Sequence, residues 1–174
     1  MPFSDSQGKD WALDAYLKVR PDHVIDIGPG AGTYAKLMRP HHKARWVGIE
    51  AWGPYIADYQ LDQLYDVAHV ADARLVDWTW FAGRADLVII GDVLEHMTSV
   101  HAAVLLDRLK RVATNLLVSI PVLHMDQGAV FGNPFERHVD HWTYEAMLDE
   151  LNPGVADTWH GGVLAYYWWR NPTA

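Results

Sequence analysis

The run Asp26-Ile27-Gly28-Pro29-Gly30-Ala31-Gly32 lies between an apolar stretch, His23-Val24-Ile25, and the segment Thr33-Tyr34-Ala35-Lys36-Leu37. It reads as a strand, a glycine turn and the start of a helix. Glycine at alternate positions admits positive φ and removes each Cβ that would hold a ligand away, so a bulky polar molecule can lie against main-chain amides. The loop is therefore a candidate seat for a nucleotide or nucleoside. Its spacing departs from the dinucleotide pattern G-x-G-x-x-G, because Gly32 follows Gly30 after a single residue. Pro29, with its fixed φ, stiffens the turn without a side-chain clash.

The elements that must position this loop alternate between strand and helix. An opening helix at Lys9 to Val19 must end near Arg20, because Pro21 disfavours helical geometry before it. Strand, helix and strand follow at His23 to Ile27, Thr33 to Arg39 (stopped by Pro40) and Arg45 to Glu50. A helix from Pro54 to Leu64 leads to a strand at Asp66 to Ala71. Asp86 to Gly91 is almost wholly apolar, the mark of a strand buried on both faces of a parallel sheet. A long helix at Ser99 to Val112 precedes a strand at Ala113 to Ile120, which Pro121 stops. A further helix spans Thr143 to Leu151, and two strand-like runs, Val155 to His160 and Val163 to Arg170, close the chain. Gly161-Gly162 between them tolerates the positive φ of a tight turn, so they should form an antiparallel hairpin. Such alternation predicts a doubly wound α/β sheet. Ligands of such sheets lie beyond the carboxyl ends of the strands, where this chain places Glu50, Asp72 and Gly91-Asp92.

With Asp26 included, the glycine loop resembles motif I of the class I S-adenosylmethionine-dependent methyltransferases, (D/E)-x-G-x-G-x-G, at all four specified positions: Asp26, Gly28, Gly30 and Gly32. That resemblance implies a Rossmann-like, seven-stranded, mostly parallel sheet with a C-terminal antiparallel hairpin, S-adenosylmethionine as cofactor and S-adenosylhomocysteine as product. It also implies roles along the strand ends. Pro29 would sit in the cofactor loop, Glu50 would accept the ribose hydroxyls, and Ala51 or Trp52 would pack on the adenine face. Asp72 and the amide of Ala73 would read the adenine edge, and Gly91, Asp92 and Val93 would lie along the methionine portion. Each acidic residue singly could be a cap or a turn residue; their ordered joint occurrence carries the reading.

The segment 121–142 is too long for an ordinary connection and reads as a loop covering the active site. The run from His138 to Leu148 resembles the corresponding segment of small-molecule methyltransferases of the ubiquinone-biosynthesis type. Methyl transfer to a hydroxyl needs an aligned nucleophile and a proton acceptor, a task suited to imidazole. The candidates are His138, then His141, and His96 just past strand four; each competes with a purely structural role. A divalent ion held by Glu136, His138 and His141 with Asp92 or Asp126 is the rival chemistry, but the carboxylate-rich set of metal-using relatives is not evident, and no metal is expected.

The chain of 174 residues has the length of a single domain, read here as residues 1–174. It has no cysteine, which excludes disulfides and thiolate chemistry and fits a reducing compartment. With no secretory segment or membrane span in view, a cytoplasmic protein is expected. A net charge of −8 argues against free duplex nucleic acid as partner. The expected acceptor is a small or sugar-like molecule methylated at oxygen. It would be gripped by segment 121–142, by the opening helix with Phe3, Trp11 and Tyr16, and, if the chain forms a homodimer, by a second subunit. Two other classes compete: a small NAD-binding oxidoreductase, and a non-catalytic binding module using an apolar face at Trp168-Trp169.

Overall fold

The computed structural model describes residues 5–173. Seven strands form one sheet: β1 (His23–Ile27), β2 (Arg45–Glu50), β3 (Val67–Val70), β4 (Ala85–Gly91), β5 (Ala113–Pro121), β6 (Val155–His160) and β7 (Leu164–Arg170). Their order across the sheet is β3-β2-β1-β4-β5-β7-β6. Strands β1 to β5 pair in parallel, and β7 runs antiparallel to both β5 and β6. Six strands thus point one way and β7 opposes them.

Side-chain alternation sorts the core into two layers. Ile25, Ile27, Val88, Ile90, Leu116 and Val118 face one side, while Val24, Leu87, Ile89 and Leu117 face the other. Over the first side lie helix α5 (Ser99–Val112) and helix α6 (Tyr144–Leu151). The buried stripe of α5, Ala102, Leu105, Leu106 and Leu109, recurs at helical spacing. Thr98 caps its start by accepting a hydrogen bond from the His101 amide at 3.3 Å, and Lys110 and Arg111 oppose the partial negative charge of its last turn. Over the second side lie α1 (Lys9–Val19) and α2 (Thr33–Met38), through Ala12, Ala15, Tyr16, Tyr34, Ala35 and Met38.

Two expectations need correction. The single helix read at Pro54 to Leu64 is two short ones, α3 (Pro54–Asp58) and α4 (Leu61–Leu64). Gln60 between them takes a left-handed φ of 53°, turning the chain so that Leu61 is buried and Leu64 lies over Gly32. The β6–β7 turn forms, closed by the Gly161 amide donating to the Leu164 carbonyl at 2.9 Å, but neither Gly161 nor Gly162 adopts positive φ. Gly161 is needed for space: a Cβ there would stand 2.3 Å from the Trp159 ring.

Candidate functional site

Gly28, Gly30 and Gly32 all adopt positive φ, at 64°, 51° and 75°. A Cβ on Gly28 would come within 2.6 Å of Val93, and one on Gly32 within 2.3 Å of Leu64. The loop therefore packs directly under the segment following β4 and beneath α4. Its grip on the sheet comes from β2. The Gly28 amide donates to the Ile49 carbonyl at 2.9 Å, and the Gly30 amide donates to Glu50 Oε2 at 3.2 Å. Glu50 Oε1 accepts the Trp52 amide at 2.8 Å, so a carboxylate only 5 % exposed is fixed between two main-chain donors. Burial raises its pKa, against the pull of those two amides.

At the end of β3, Asp72 is engaged by Arg74, whose guanidinium donates to both carboxylate oxygens at 2.5 to 3.0 Å; this pairing lowers the Asp72 pKa. At the end of β4, Asp92 takes a left-handed φ of 56° and accepts the Ser119 hydroxyl at 2.7 Å. Beneath it lies a polar cluster. Tyr34 and Ser119 share a hydrogen bond of 2.9 Å, and Lys9 Nζ donates to the Tyr34 and Tyr166 hydroxyls at 3.0 and 2.7 Å. Desolvation brings the Lys9 ammonium down to about 8, partly opposed by Asp92.

These strand ends surround an open cleft of about 870 Å³. Of the residues singled out in the sequence, Gly28, Pro29, Gly30, Glu50, Ala51, Asp72, Ala73, Gly91, Asp92, Val93 and His96 line it. Asp26, Gly32 and Trp52 do not. Asp26 lies under the loop and is fully buried, accepting the Tyr65 hydroxyl at 2.6 Å, and burial pushes its carboxyl up to about 7. Gly32 is the residue before α2, and Trp52 contributes its amide to Glu50.

The three histidines separate. His96 lines the cleft, and burial lowers its pKa. The His138 ring is outside the cleft wall but 5.1 Å from that of His96. His141 faces away, its ring 5.0 Å from His124, and lines a second hollow that His138 also borders. Segment 121–142 reaches the cleft through Asn133, Phe135 and Glu136. Glu136 is buried and accepts the Tyr55 hydroxyl at 3.1 Å. The segment is tied down where the Val139 amide donates to the Glu95 carbonyl at 2.8 Å and the Ser99 amide donates to Asp140 Oδ2 at 2.8 Å.

Sequence reasoning missed Tyr34, Tyr55 and Glu95, and weighed Glu136 only as a metal ligand. Tyr34 had a signal, its place in the first turn after the glycine loop; Glu95 had its adjacency to His96. Tyr16 is fully buried among Trp46 and its neighbours, with no access to the cleft, and Phe3 lies outside the described residues. The Trp168 and Trp169 indoles donate inward, to Asn115 Oδ1 at 2.9 Å and the Pro153 carbonyl at 3.0 Å, so that pair does not form an open apolar face.

The fold and site can now be set beside known proteins. No curated protein matches the chain by sequence. Solved structures resemble it over nearly its whole length. The N-terminal domain of EvdMO1 with S-adenosylhomocysteine (SAH) bound has a TM-score of 0.68 at 15% identity, covering 95% of this chain and 82% of that one. Magnesium protoporphyrin IX methyltransferase from Synechocystis PCC 6803, with SAH bound, gives 0.69 at 16%, covering 93% and 81%. An O-methyltransferase of putative assignment from Nostoc punctiforme PCC 73102 gives 0.68 at 14%, covering 94% and 56%. Residues 10–152 match the sequence profile of the family described as methyltransferase domain. With that match and a seven-stranded sheet ending in an antiparallel hairpin, the chain belongs to the methyltransferase domain family, among the class I S-adenosylmethionine-dependent methyltransferases.

Proposed function

We propose that this chain is a single-domain enzyme that moves the methyl group of S-adenosylmethionine to a hydroxyl of a small or sugar-like acceptor. One observation carries the cofactor placement: the Glu50 carboxylate is held between the Gly30 and Trp52 amides at the rim of the cleft, facing the glycine loop. A carboxylate can accept about four hydrogen bonds, so two lone pairs remain for vicinal ribose hydroxyls. Gly28, Pro29 and Gly30 then support the amino-acid end from below, with Gly91, Asp92 and Val93 alongside it. Ala51 packs on the adenine, whose edge meets Asp72 and the Ala73 amide, while Trp52 steadies Glu50. Asp26 and Gly32 support the loop from outside the cleft.

Charge favours the substrate form of the cofactor over its product. Glu50, Asp72, Asp92 and Glu136 line the cleft against Arg74 alone among the described cationic residues. An acidic lining stabilises a sulfonium and loses that attraction once the sulfur becomes a neutral thioether. In the transfer, the acceptor oxygen forms a bond to the methyl carbon, the carbon–sulfur bond breaks with its pair on sulfur, and the hydroxyl proton passes to the imidazole of His138 or His96. His96 and His138 stand where the acceptor end of the cleft meets segment 121–142; His141 is farther out and is assigned to that segment's structure.

A cytoplasmic setting and a homodimer remain in keeping with this reading. Its test is calorimetry with S-adenosylhomocysteine and with NAD, followed by transfer of isotopically labelled methyl to a panel of hydroxylated acceptors. Binding of the first ligand, no binding of the second and label recovered as an ether support the proposal. Preference for NAD would overturn it. Label recovered on nitrogen or carbon would overturn the choice of oxygen.

A further inference from the structure

Beside the cofactor cleft, four polar side chains from four separate segments form one continuous path. Lys9 opens α1, Tyr34 stands in the first turn of α2, Ser119 lies in β5, and Asp92 follows β4. Lys9 Nζ donates to the Tyr34 hydroxyl at 3.0 Å, Tyr34 and Ser119 share a hydrogen bond of 2.9 Å, and the Ser119 hydroxyl donates to Asp92 Oδ1 at 2.7 Å. Of these, Tyr34 and Asp92 border the cleft, while Lys9 and Ser119 stand behind its wall. The start of α1 is pressed onto this path. A Cβ on Gly8 would lie 2.6 Å from the Tyr166 ring, whose hydroxyl also accepts from Lys9, at 2.7 Å.

The path has one direction. An ammonium only donates and an ionised carboxylate only accepts, so the two hydroxyls between them must pass their hydrogens the same way, from Lys9 through Tyr34 and Ser119 to Asp92. Hydrogen bonds aligned in this manner strengthen one another where water is excluded, and Tyr34 and Ser119 are 4 % and 1 % exposed. With Lys9 donating to both tyrosines, the Tyr34 hydrogen is steered away from the Tyr166 oxygen, 3.3 Å distant, and toward Ser119.

Asp92 is the residue that needs such support. Its left-handed φ of 56° is costly for a residue other than glycine and persists only where the surroundings over-determine it. Ser119 fixes it at two points, through the hydroxyl and through the carbonyl that accepts the Asp92 amide at 3.0 Å. We infer that Lys9 is a positioning residue of the cofactor site: through Tyr34 and Ser119 it sets the Asp92 carboxylate to receive the ammonium of the cofactor's methionine end. A carboxylate that accepts one hydroxyl retains acceptor capacity for such a donor. The ammonium of Lys9 thus acts on the cofactor at second hand, from behind the cleft wall, and the opening helix serves the cofactor instead of the acceptor. This inference rests on the cofactor placement proposed above.

The test is calorimetry on the full chain with two ligands, S-adenosylhomocysteine and 5′-methylthioadenosine, which lacks the amino-acid end. Lys9→Met and Ser119→Ala should each weaken the first by about 10-fold and leave the second within about 2-fold, a split that general damage to the fold would not produce. Because both act through one path, the double variant should lose little more than either alone. Should Lys9→Met fail to fold, Tyr34→Phe decides, since it keeps the ring and removes the hydroxyl between Lys9 and Ser119. Unchanged S-adenosylhomocysteine affinity in the deciding variant, equal losses for the two ligands, or additive losses in the double variant would overturn the inference. A native chain that binds neither ligand would overturn the cofactor placement and this inference with it, whereas absence of the split in the variants leaves that placement standing.

Discussion

Glu50→Gln isolates the charge of the cleft carboxylate while keeping its shape. In the native chain each oxygen already accepts one amide, Gly30 at 3.2 Å and Trp52 at 2.8 Å, and each keeps a lone pair for a ribose hydroxyl. An amide side chain has one accepting oxygen; its NH₂ must confront either the Gly30 or the Trp52 donor, and one hydroxyl loses a charged acceptor. Hydrogen bonds to charged groups contribute about 1.5–3 kcal/mol, so affinity for S-adenosylhomocysteine should fall about 10- to 150-fold. The pH dependence gives a second reading. Burial raises the pKa of Glu50 in the free protein, and hydroxyl donors favour its ionised form. Affinity should therefore be full above that raised pKa and decline as pH falls through it, whereas Glu50→Gln should show no such decline. Calorimetry across the acid range reads both. An unchanged dissociation constant, or a pH profile that survives the substitution, would refute the placement of ribose at Glu50.

Asp26→Asn addresses stability instead of binding. Its carboxyl is raised from 3.8 to about 7 in the fold, so the native state binds this proton more tightly than the unfolded chain. The contribution is fully present below pH ~4 and is lost as pH rises toward ~7, on the order of 4 kcal/mol at most. Urea midpoints should show the Asn variant gaining on the parent across that window, and parallel curves would show that Asp26 does not titrate there. Alanine at Gly161 should destabilise by about 1 kcal/mol through the Trp159 ring, while alanine at Gly162, with open space around it, should be close to neutral. Equal effects of the two in thermal melts would return the turn to a positive-φ explanation.

Local pattern and tertiary packing left different amounts to be read from the chain. Strands β1, β2 and β6 and helices α1 and α5 match their sequence reading at both ends, because apolar periodicity and a breaker such as Pro21 are local signals. The break at Gln60 was invisible, since it answers to Leu61 and Leu64 packing over the glycine loop. The site divides in the same way. Strand-end residues could be placed on the cleft because parallel topology brings those ends together, whatever fills the core. Asp26 and Glu50 show where that logic stops. Motif I ties Asp26 to the glycine loop, yet Glu50 makes the amide contact and Asp26 bonds to Tyr65.

Gly91 shows why such partners are hidden. As the last residue of β4 it reads as a strand terminus beside the cofactor, but a Cβ there would lie 2.0 Å from the Tyr34 ring. That ring cannot swing away without breaking its hydroxyl's bonds to Ser119 and Lys9. The requirement for glycine thus arises from four residues on α1, α2, β4 and β5, and no spacing rule within one segment can report it. The same holds for His96 and His138. Their sequence separation carries no information, and the two rings meet because the Glu95 main chain fixes segment 121–142 against the residues that follow β4.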